Sequence, residues 1–150
     1  MEQSEGREKM TLILESRSSN EKLARVTAAA FFSRLDPTLE EVEDVKTAVS
    51  EAVTNCIIHG YGGGPGEIYL EAELCDRELT LRIRDQGIGI ENVARAREPL
   101  FTTRPDEGRS GMGFSFMEAF MDRVDVVSRP GEGTVVTMKK RSRERQDGMG

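Results

Sequence analysis

Two hydrophobic periods alternate along this chain, and the switches between them divide it into elements. Leu12 and Leu14 alternate with Thr11, Ile13 and Glu15, which predicts a strand from Met10 to Ser16. The period then lengthens. Leu23, Val26, Ala30 and Phe31 fall at helical spacing behind Ser18-x-x-Glu21, a capping-box pattern, so a first helix is expected to end near Leu35, before Asp36-Pro37. Thr38-x-x-Glu41 is a second such pattern. Behind it Val42, Val45, Val49, Val53 and Cys56 recur every three or four residues, the strongest helical signal in the chain. It runs to about His59, where Gly60-Tyr61-Gly62-Gly63-Gly64-Pro65-Gly66 stops it.

Strand spacing returns at Ile68, Leu70, Ala72 and Leu74, and again at Leu79, Leu81 and Ile83, with Asp76-Arg77 as the turn of an antiparallel hairpin. From Asp85 to Gly113 no period persists beyond a short helical turn around Val93 to Arg97. A loop of this length, rich in glycine, proline and charge, predicts a functional lid. Phe114 to Met121 reads as a helix, and Val124 to Val127 and Thr134 to Met138 as two closing strands joined by Pro130-Gly131-Glu132-Gly133. Without strict βαβ alternation, this order predicts an α+β sandwich, with helices layered on one face of a mainly antiparallel sheet. One domain is expected over residues 10–140, between a flexible lead, 1–9, and a flexible tail, 141–150.

Composition narrows what such a domain can do. Charged residues make up 32% and hydrophobic residues 37%, a balance that suits a globular protein rather than a disordered or membrane-embedded one. No apolar run approaches the roughly 18 residues of a membrane span, and no apolar segment follows the polar N-terminus as a secretory signal would. A cytoplasmic protein without membrane attachment is expected. The net charge of −6 provides no uniform positive field for a phosphate backbone, so direct nucleic-acid binding is not expected. The basic run Lys139-Lys140-Arg141, with Arg143 and Arg145, is interrupted by Glu144 and Asp147 and reads as a frayed, solvated tail. Cys56 and Cys75 stand outside any Cys-x-x-Cys pair and read as ordinary thiols.

Four short patterns carry candidate chemistry. In the second helix Glu51 and Asn55 lie four apart, off the valine stripe, where a carboxylate could serve as a general base and a carboxamide as an oxygen ligand for Mg²⁺. On this helix alone a solvated polar face explains them better. His59 extends the same row, and as a lone histidine beside a helix-ending glycine it reads as a cap or packing residue. Asp85-Gln86-Gly87-Ile88-Gly89 follows a strand directly, where the carboxylate could accept a hydrogen bond from an amino group such as that of adenine while the glycines admit a flat ring; a polar turn would look similar. Gly108-Arg109-Ser110-Gly111-Met112-Gly113 leads into a helix whose unpaired N–H groups could meet phosphate oxygens, without matching the Walker or dinucleotide fingerprints. Pro99-Leu100-Phe101-Thr102-Thr103-Arg104 lies in the lid between the glycine clusters, and Gly131-Glu132-Gly133-Thr134 is either a further contact or a hairpin turn.

Together, Glu51-x-x-x-Asn55, Asp85-x-Gly87-x-Gly89, Gly108-x-x-Gly111-x-Gly113 and Gly131-x-Gly133-Thr134 stand in an order that resembles the GHKL ATPases, the superfamily of gyrase, Hsp90, histidine kinases and MutL. The resemblance spans about residues 10 to 140. Within that superfamily, Ser50-Glu51-Ala52-Val53-Thr54-Asn55 with Ile57-Ile58-His59-Gly60-Tyr61, Pro99-Leu100-Phe101-Thr102-Thr103 and Arg109-Ser110-Gly111-Met112-Gly113-Phe114 are similar to the sporulation anti-sigma factors, with the general-stress anti-sigma kinases as near relatives. Cys56 departs from the pattern, since the family usually carries a small apolar residue there.

The resemblance implies a two-layer sandwich of the Bergerat type that binds ATP or ADP. Mg²⁺ would be held through Asn55 and adenine read by Asp85, with Gly87 and Gly89 beside it. The phosphates would be enclosed by Thr102, Thr103, Arg109, Ser110, Gly111, Met112 and Gly113, with Thr134 completing the site. Glu51 would be the general base, activating a serine hydroxyl on an anti-anti-sigma protein. Histidine kinases usually carry Asn where this chain has Glu51, and they use an attached phosphoacceptor domain, so transfer to a separate protein is expected. The family's partner switch implies an ATP-bound homodimer, formed through the N-terminal strand and helix, that holds a sigma factor of the sigma-F type until the antagonist displaces it. Arg25 matches a partner-contacting residue of the family. The competing readings are a general-stress anti-sigma kinase, the nearest alternative, a nucleotide-dependent sigma clamp without significant kinase activity, and a stand-alone ATPase in which Glu51 activates water.

Overall fold

The structure, a computed structural model, describes residues 7–90 and 113–143. Among these residues five strands, β1 (Arg7–Glu15), β2 (Glu67–Cys75), β3 (Glu78–Asp85), β4 (Arg123–Arg129) and β5 (Gly133–Arg141), form one antiparallel sheet in the order β1-β2-β3-β5-β4. The helices α1 (Asn20–Phe32), α2 (Leu39–Asn55) and α3 (Gly113–Phe120) pack with α2 between the other two.

The period-two alternation predicted for the central hairpin is what the sheet uses. Ile68, Leu70, Ala72 and Leu74 of β2 and Leu79, Leu81 and Ile83 of β3 are buried, as are Val45, Ala48, Val49, Ala52 and Val53 of α2. Each such valine, leucine or isoleucine side chain contributes about 1.5–3 kcal/mol by leaving water. The opposite face of β2 and β3 is polar: Arg84 lies 4.2 Å from the Tyr69 ring centre and Arg82 pairs with Glu71 at 3.6 Å. The architecture is therefore the expected α+β two-layer sandwich. Among the described residues no helix is long and apolar enough to cross a membrane.

The second capping box forms as its sequence predicts. Thr38 Oγ1 accepts the Glu41 N–H at 3.1 Å, and Glu41 Oε1 accepts the Thr38 N–H at 2.9 Å. Glu41 Oε2 also accepts the Arg143 N–H at 3.0 Å. Burial pushes the Glu41 carboxyl up, but the N–H groups of Thr38 and Arg143 outweigh it and hold the group below the usual glutamate value. Its contribution to stability is therefore present above about pH 4.3 and is lost as pH falls through the lowered folded value. Thr38→Ala is expected to lower the unfolding free energy by about 1 kcal/mol, read as a lower urea midpoint at unchanged slope.

Three local expectations need correction. The Ser18–Glu21 capping box does not form: the helix begins at Asn20 behind Ser19, which makes no side-chain cap bond. Glu21 instead pairs with Arg25 at 2.8 Å, and Asn20 Nδ2 ties the helix start to the Glu15 carbonyl at 2.8 Å. Strand β1 begins at Arg7 rather than Met10, because Arg7, Glu8 and Lys9 pair with Cys75, Leu74 and Glu73 despite their charge. Nor is the basic run at Lys139–Arg141 a frayed tail, since β5 continues to Arg141. Lys140 is buried there, donating to Asp44 at 3.0 Å and to the Phe120 carbonyl at 2.6 Å, while Arg77 donates to the carbonyls of Ser142 and Arg143. These long-range partners supply what the tail's own composition does not.

Candidate functional site

The site is built where the end of α2 meets the end of β3. After Asn55 the helix does not stop but widens into a π turn, Cys56–Gly60, closed by the Tyr61 N–H on the Cys56 carbonyl at 2.9 Å. Such turns insert a residue and re-aim the chain beyond them, and they recur at functional sites. Here the turn carries Gly60 against Asp85, the last residue of β3. A Cβ on Gly60 would lie 2.9 Å from Asp85 Cγ, and one on Gly87 would lie 2.0 Å from the Gly60 carbonyl oxygen. Only glycine at both positions allows this approach. The Ile88 N–H then bonds the Gly60 carbonyl at 3.0 Å and fixes the contact.

Asp85 is the buried carboxylate at the centre. Its Oδ1 accepts the Gly87 N–H at 2.8 Å. Burial pushes its pKa up, an effect partly offset by the Gly87 N–H, the Cys56 thiol and the Thr134 N–H. Burial, and after it the charge of Asp85, pushes the Cys56 thiol well above its ordinary value, so Cys56 stays protonated. A carboxylate offers about four acceptor positions, which leaves Asp85 able to accept from a ligand.

Beside it opens a groove of about 620 Å³, lined by His59, Tyr61, Gln86, Gly87, Ile88 and Gly131 among others. Its walls are tied to each other. The Tyr61 hydroxyl donates to the Glu67 carbonyl at 2.6 Å and accepts the Gln86 N–H at 2.7 Å. Ser128 Oγ accepts the Ile90 N–H at 2.7 Å and meets Thr134 Oγ1 at 2.8 Å, and the Gly131 N–H reaches the Ile88 carbonyl at 2.6 Å. The loop after Asp85 is thus fastened to the β4–β5 hairpin, and Gly89 packs on the Arg129 carbonyl.

Asn55 stands directly before the π turn. Its Oδ1 and Nδ2 are shut off from solvent and have no hydrogen-bond partner among the described residues. An unsatisfied buried amide costs about 1–3 kcal/mol, so the carboxamide suits an incoming ligand or ion. Its oxygen is the donor type that Mg²⁺ takes, and this ion keeps much of its coordination from water and phosphate. No cluster of three or more His, Cys, Asp or Glu side chains among the described residues offers an alternative metal site. Glu51, one turn earlier, has its Oε1 equally closed off from solvent.

The structure therefore brings Asn55, Asp85, Gly87, Gly89 and Thr134 to adjoining elements, with Glu51 one helical turn behind Asn55. Thr134 pairs with Asp85 in the ladder, and its hydroxyl is engaged by Ser128. Gly113 opens α3. Thr102, Thr103, Arg109, Ser110, Gly111 and Met112, like the helical turn expected near Val93, lie outside the described residues. Arg25 is elsewhere, on α1, paired with Glu21. Sequence reasoning missed Tyr61 and Ser128, whose roles depend on distant backbone groups, and read Gly60 only as a helix stop. A glycine directly behind the valine-striped helix was the one available signal.

Comparison with known proteins supplies the class. Residues 14–140 match the family described as histidine kinase-like ATPase domain, and the chain belongs to that family of nucleotide-binding domains. A solved structure of the RsbU and RsbW domains of a Mycobacterium tuberculosis protein shares the fold, with a TM-score of 0.63 at 17% identity over 90% of this chain and 32% of that longer one. The histidine kinase domain of an Erythrobacter litoralis blue-light activated kinase does so at 0.52 and 18%, over 81% of this chain and 61% of that one. Within the family the relatives are closer in sequence. The anti-sigma F factor of Clostridium acetobutylicum is 58% identical over 133 residues, 89% of this chain and 93% of its own. That of Shouchella clausii is 54% identical over 88% of this chain and 91% of its own. The chain falls among the anti-sigma F factors.

Proposed function

We propose that this chain is an ATP-dependent serine kinase and anti-sigma factor: it binds and inhibits a sigma factor of the sigma-F type, and it phosphorylates a serine on an anti-anti-sigma antagonist. The observation that carries the nucleotide reading is the pairing of Asp85, a buried carboxylate with acceptor capacity to spare, with Asn55, a buried carboxamide lacking a partner among the described residues. The anti-sigma reading rests on relatives that bear that name at more than half identity over most of their length.

In this account Asp85 accepts a hydrogen bond from the exocyclic amine of adenine, and Gly87 and Gly89 let the flat ring approach the backbone. Asn55 supplies one oxygen to Mg²⁺, which when bound neutralises phosphate charge. Thr102, Thr103, Arg109, Ser110, Gly111 and Met112, with Gly113 at the start of α3, surround the phosphates, where backbone N–H groups at a helix start favour anions. Glu51 takes the proton of the antagonist's serine hydroxyl as its oxygen attacks the γ-phosphorus. The bond to the β–γ bridging oxygen breaks, and ADP leaves. Catalysis of this kind is positioning and charge neutralisation more than covalent chemistry.

The partner switch takes place elsewhere on the molecule, in the cytoplasm. Arg25 on α1 contacts the partners, and two copies of the chain associate through β1 and α1, where the exposed Ile13, Leu23 and Val26 provide apolar surface. In a reconstituted transcription reaction driven by the sporulation sigma factor, the protein with ATP is expected to silence the sigma-dependent promoter, and unphosphorylated antagonist to restore it. Transcription that persists at saturating protein and ATP would sink the anti-sigma reading.

A further inference from the structure

Three successive backbone amides follow Asp85, and each has a different partner. The Gln86 N–H donates to the Tyr61 hydroxyl at 2.7 Å, the Gly87 N–H to Asp85 Oδ1 at 2.8 Å and the Ile88 N–H to the Gly60 carbonyl at 3.0 Å. Gly60 and Tyr61 are neighbours at the end of the π turn, so that turn grips the loop on both sides of the amide that holds the carboxylate. Of the two, only Tyr61 does so through a side chain. Its ring rests against Gly66, where an added Cβ would lie 2.5 Å from Cε1, and its hydroxyl donates its own proton to the Glu67 carbonyl at 2.6 Å. With that proton committed at the start of β2, the oxygen can only accept from Gln86. The loop needs such an anchor, because Gly87 has no side chain to restrict its backbone.

We infer that Tyr61 is a positioning residue for purine recognition: by holding the Gln86 amide, its hydroxyl fixes the loop whose next amide orients the Asp85 carboxylate for the exocyclic amine of the bound base. The inference rests on the reading of Asp85 as the adenine acceptor and names the group that sets its direction. Tyr61 lines the groove, but its role passes through the backbone of Gln86 and Gly87 and not through the base, since the hydroxyl proton is committed to Glu67 and the oxygen to Gln86. Without the hydroxyl the Gln86 N–H loses its partner. The two peptides between Asp85 and Gly87 can then rotate, which takes the Gly87 N–H off Oδ1. The carboxylate would keep its charge but lose the donor that restricts which way its remaining lone pairs point.

Tyr61→Phe keeps the ring on Gly66 and removes only the oxygen. The test compares, by calorimetry, the affinity of the full-length protein for ADP with that for the diphosphate of purine riboside, the same nucleotide without its exocyclic amine. In Tyr61→Phe, ADP is expected to bind roughly three- to tenfold more weakly, the scale of one modest hydrogen bond, with the amine-free nucleotide unchanged, so that the preference for ADP narrows by the same factor. An equal loss for both nucleotides, as a merely structural role would give, or an unchanged preference, would overturn the inference while leaving Asp85 its role. A wild-type protein that binds the two nucleotides equally would overturn the reading of Asp85 and the inference with it. A second measurement reads the anchor directly in the free protein. Amide hydrogen exchange followed by NMR is expected to be slow at Gln86 and Gly87 in the wild type and to speed up at both in Tyr61→Phe, with the amides of the β2–β3 ladder unchanged. Exchange that rises at Gln86 alone would show that the hydroxyl does not hold Gly87 in place, contradicting the inference.

Discussion

Glu51→Gln is expected to remove phosphate transfer to the antagonist while leaving ATP affinity within about threefold of wild type. The amide keeps the shape and most of the packing of the carboxylate at this position in α2, so the valine stripe, the π turn and the Asn55 carboxamide have no reason to move. What it cannot do is take a proton from a serine hydroxyl. General-base catalysis contributes on the order of 10²- to 10⁴-fold, and a single-turnover rate measured with labelled ATP should fall by that much. Substitution of Asn55 should instead reduce binding of the Mg²⁺ nucleotide itself, because the residue is assigned to the ion and not to the proton. Equal loss of ATP affinity in both variants would contradict the two roles.

Asp85→Asn is expected to reduce nucleotide affinity by at least roughly a hundredfold, since it removes a charged acceptor and can present an N–H to the adenine amine. The free protein should not be destabilised in return. Burial raises the pKa of Asp85, so keeping it ionised in the fold costs stability at neutral pH. The sign comes from linkage. The stability contributed by protonating this group is fully present below the unfolded value near pH 3.9 and is lost as pH rises through the raised folded value. The melting temperature of Asp85→Asn relative to wild type should therefore be higher at pH 7 than at pH 4. A variant that melts well below wild type at neutral pH would show that the carboxylate holds the fold together instead of waiting for a ligand. Sites that carry such a cost in the free state are where function and stability are expected to oppose each other.

Much of the fold was legible in the sequence because the signals were local and repeated. The valine stripe, the Thr38–Glu41 box and the period-two hairpin each rest on neighbours within one or two turns, and the structure uses them as written. The Ser18–Glu21 pattern has the same form yet fails, because Arg25 takes Glu21 and the Glu15 carbonyl takes Asn20. Lys140 was unreadable for a related reason. A lysine in a basic run near the C-terminus looks solvated until Asp44, 96 residues earlier, is placed beside it. At the candidate site the order of Glu51, Asn55, Asp85 and the glycines was visible, but the π turn that joins them was not, since an inserted residue leaves no mark on hydrophobic spacing. Gly60 shows the cost most plainly: it reads as a helix stop, and only the placement of Asp85 beside it shows why no side chain fits there.

The central claim is that ATP bound at this site phosphorylates another protein. The most direct test is to incubate the protein with Mg²⁺, γ-labelled ATP and the anti-anti-sigma antagonist and to locate the label by mass spectrometry. The expected result is one phosphate on a serine of the antagonist, with ADP formed in equal amount. Release of free phosphate with the antagonist unlabelled would contradict the kinase and support an ATPase, and ATP that binds but stays intact would leave a nucleotide-dependent clamp.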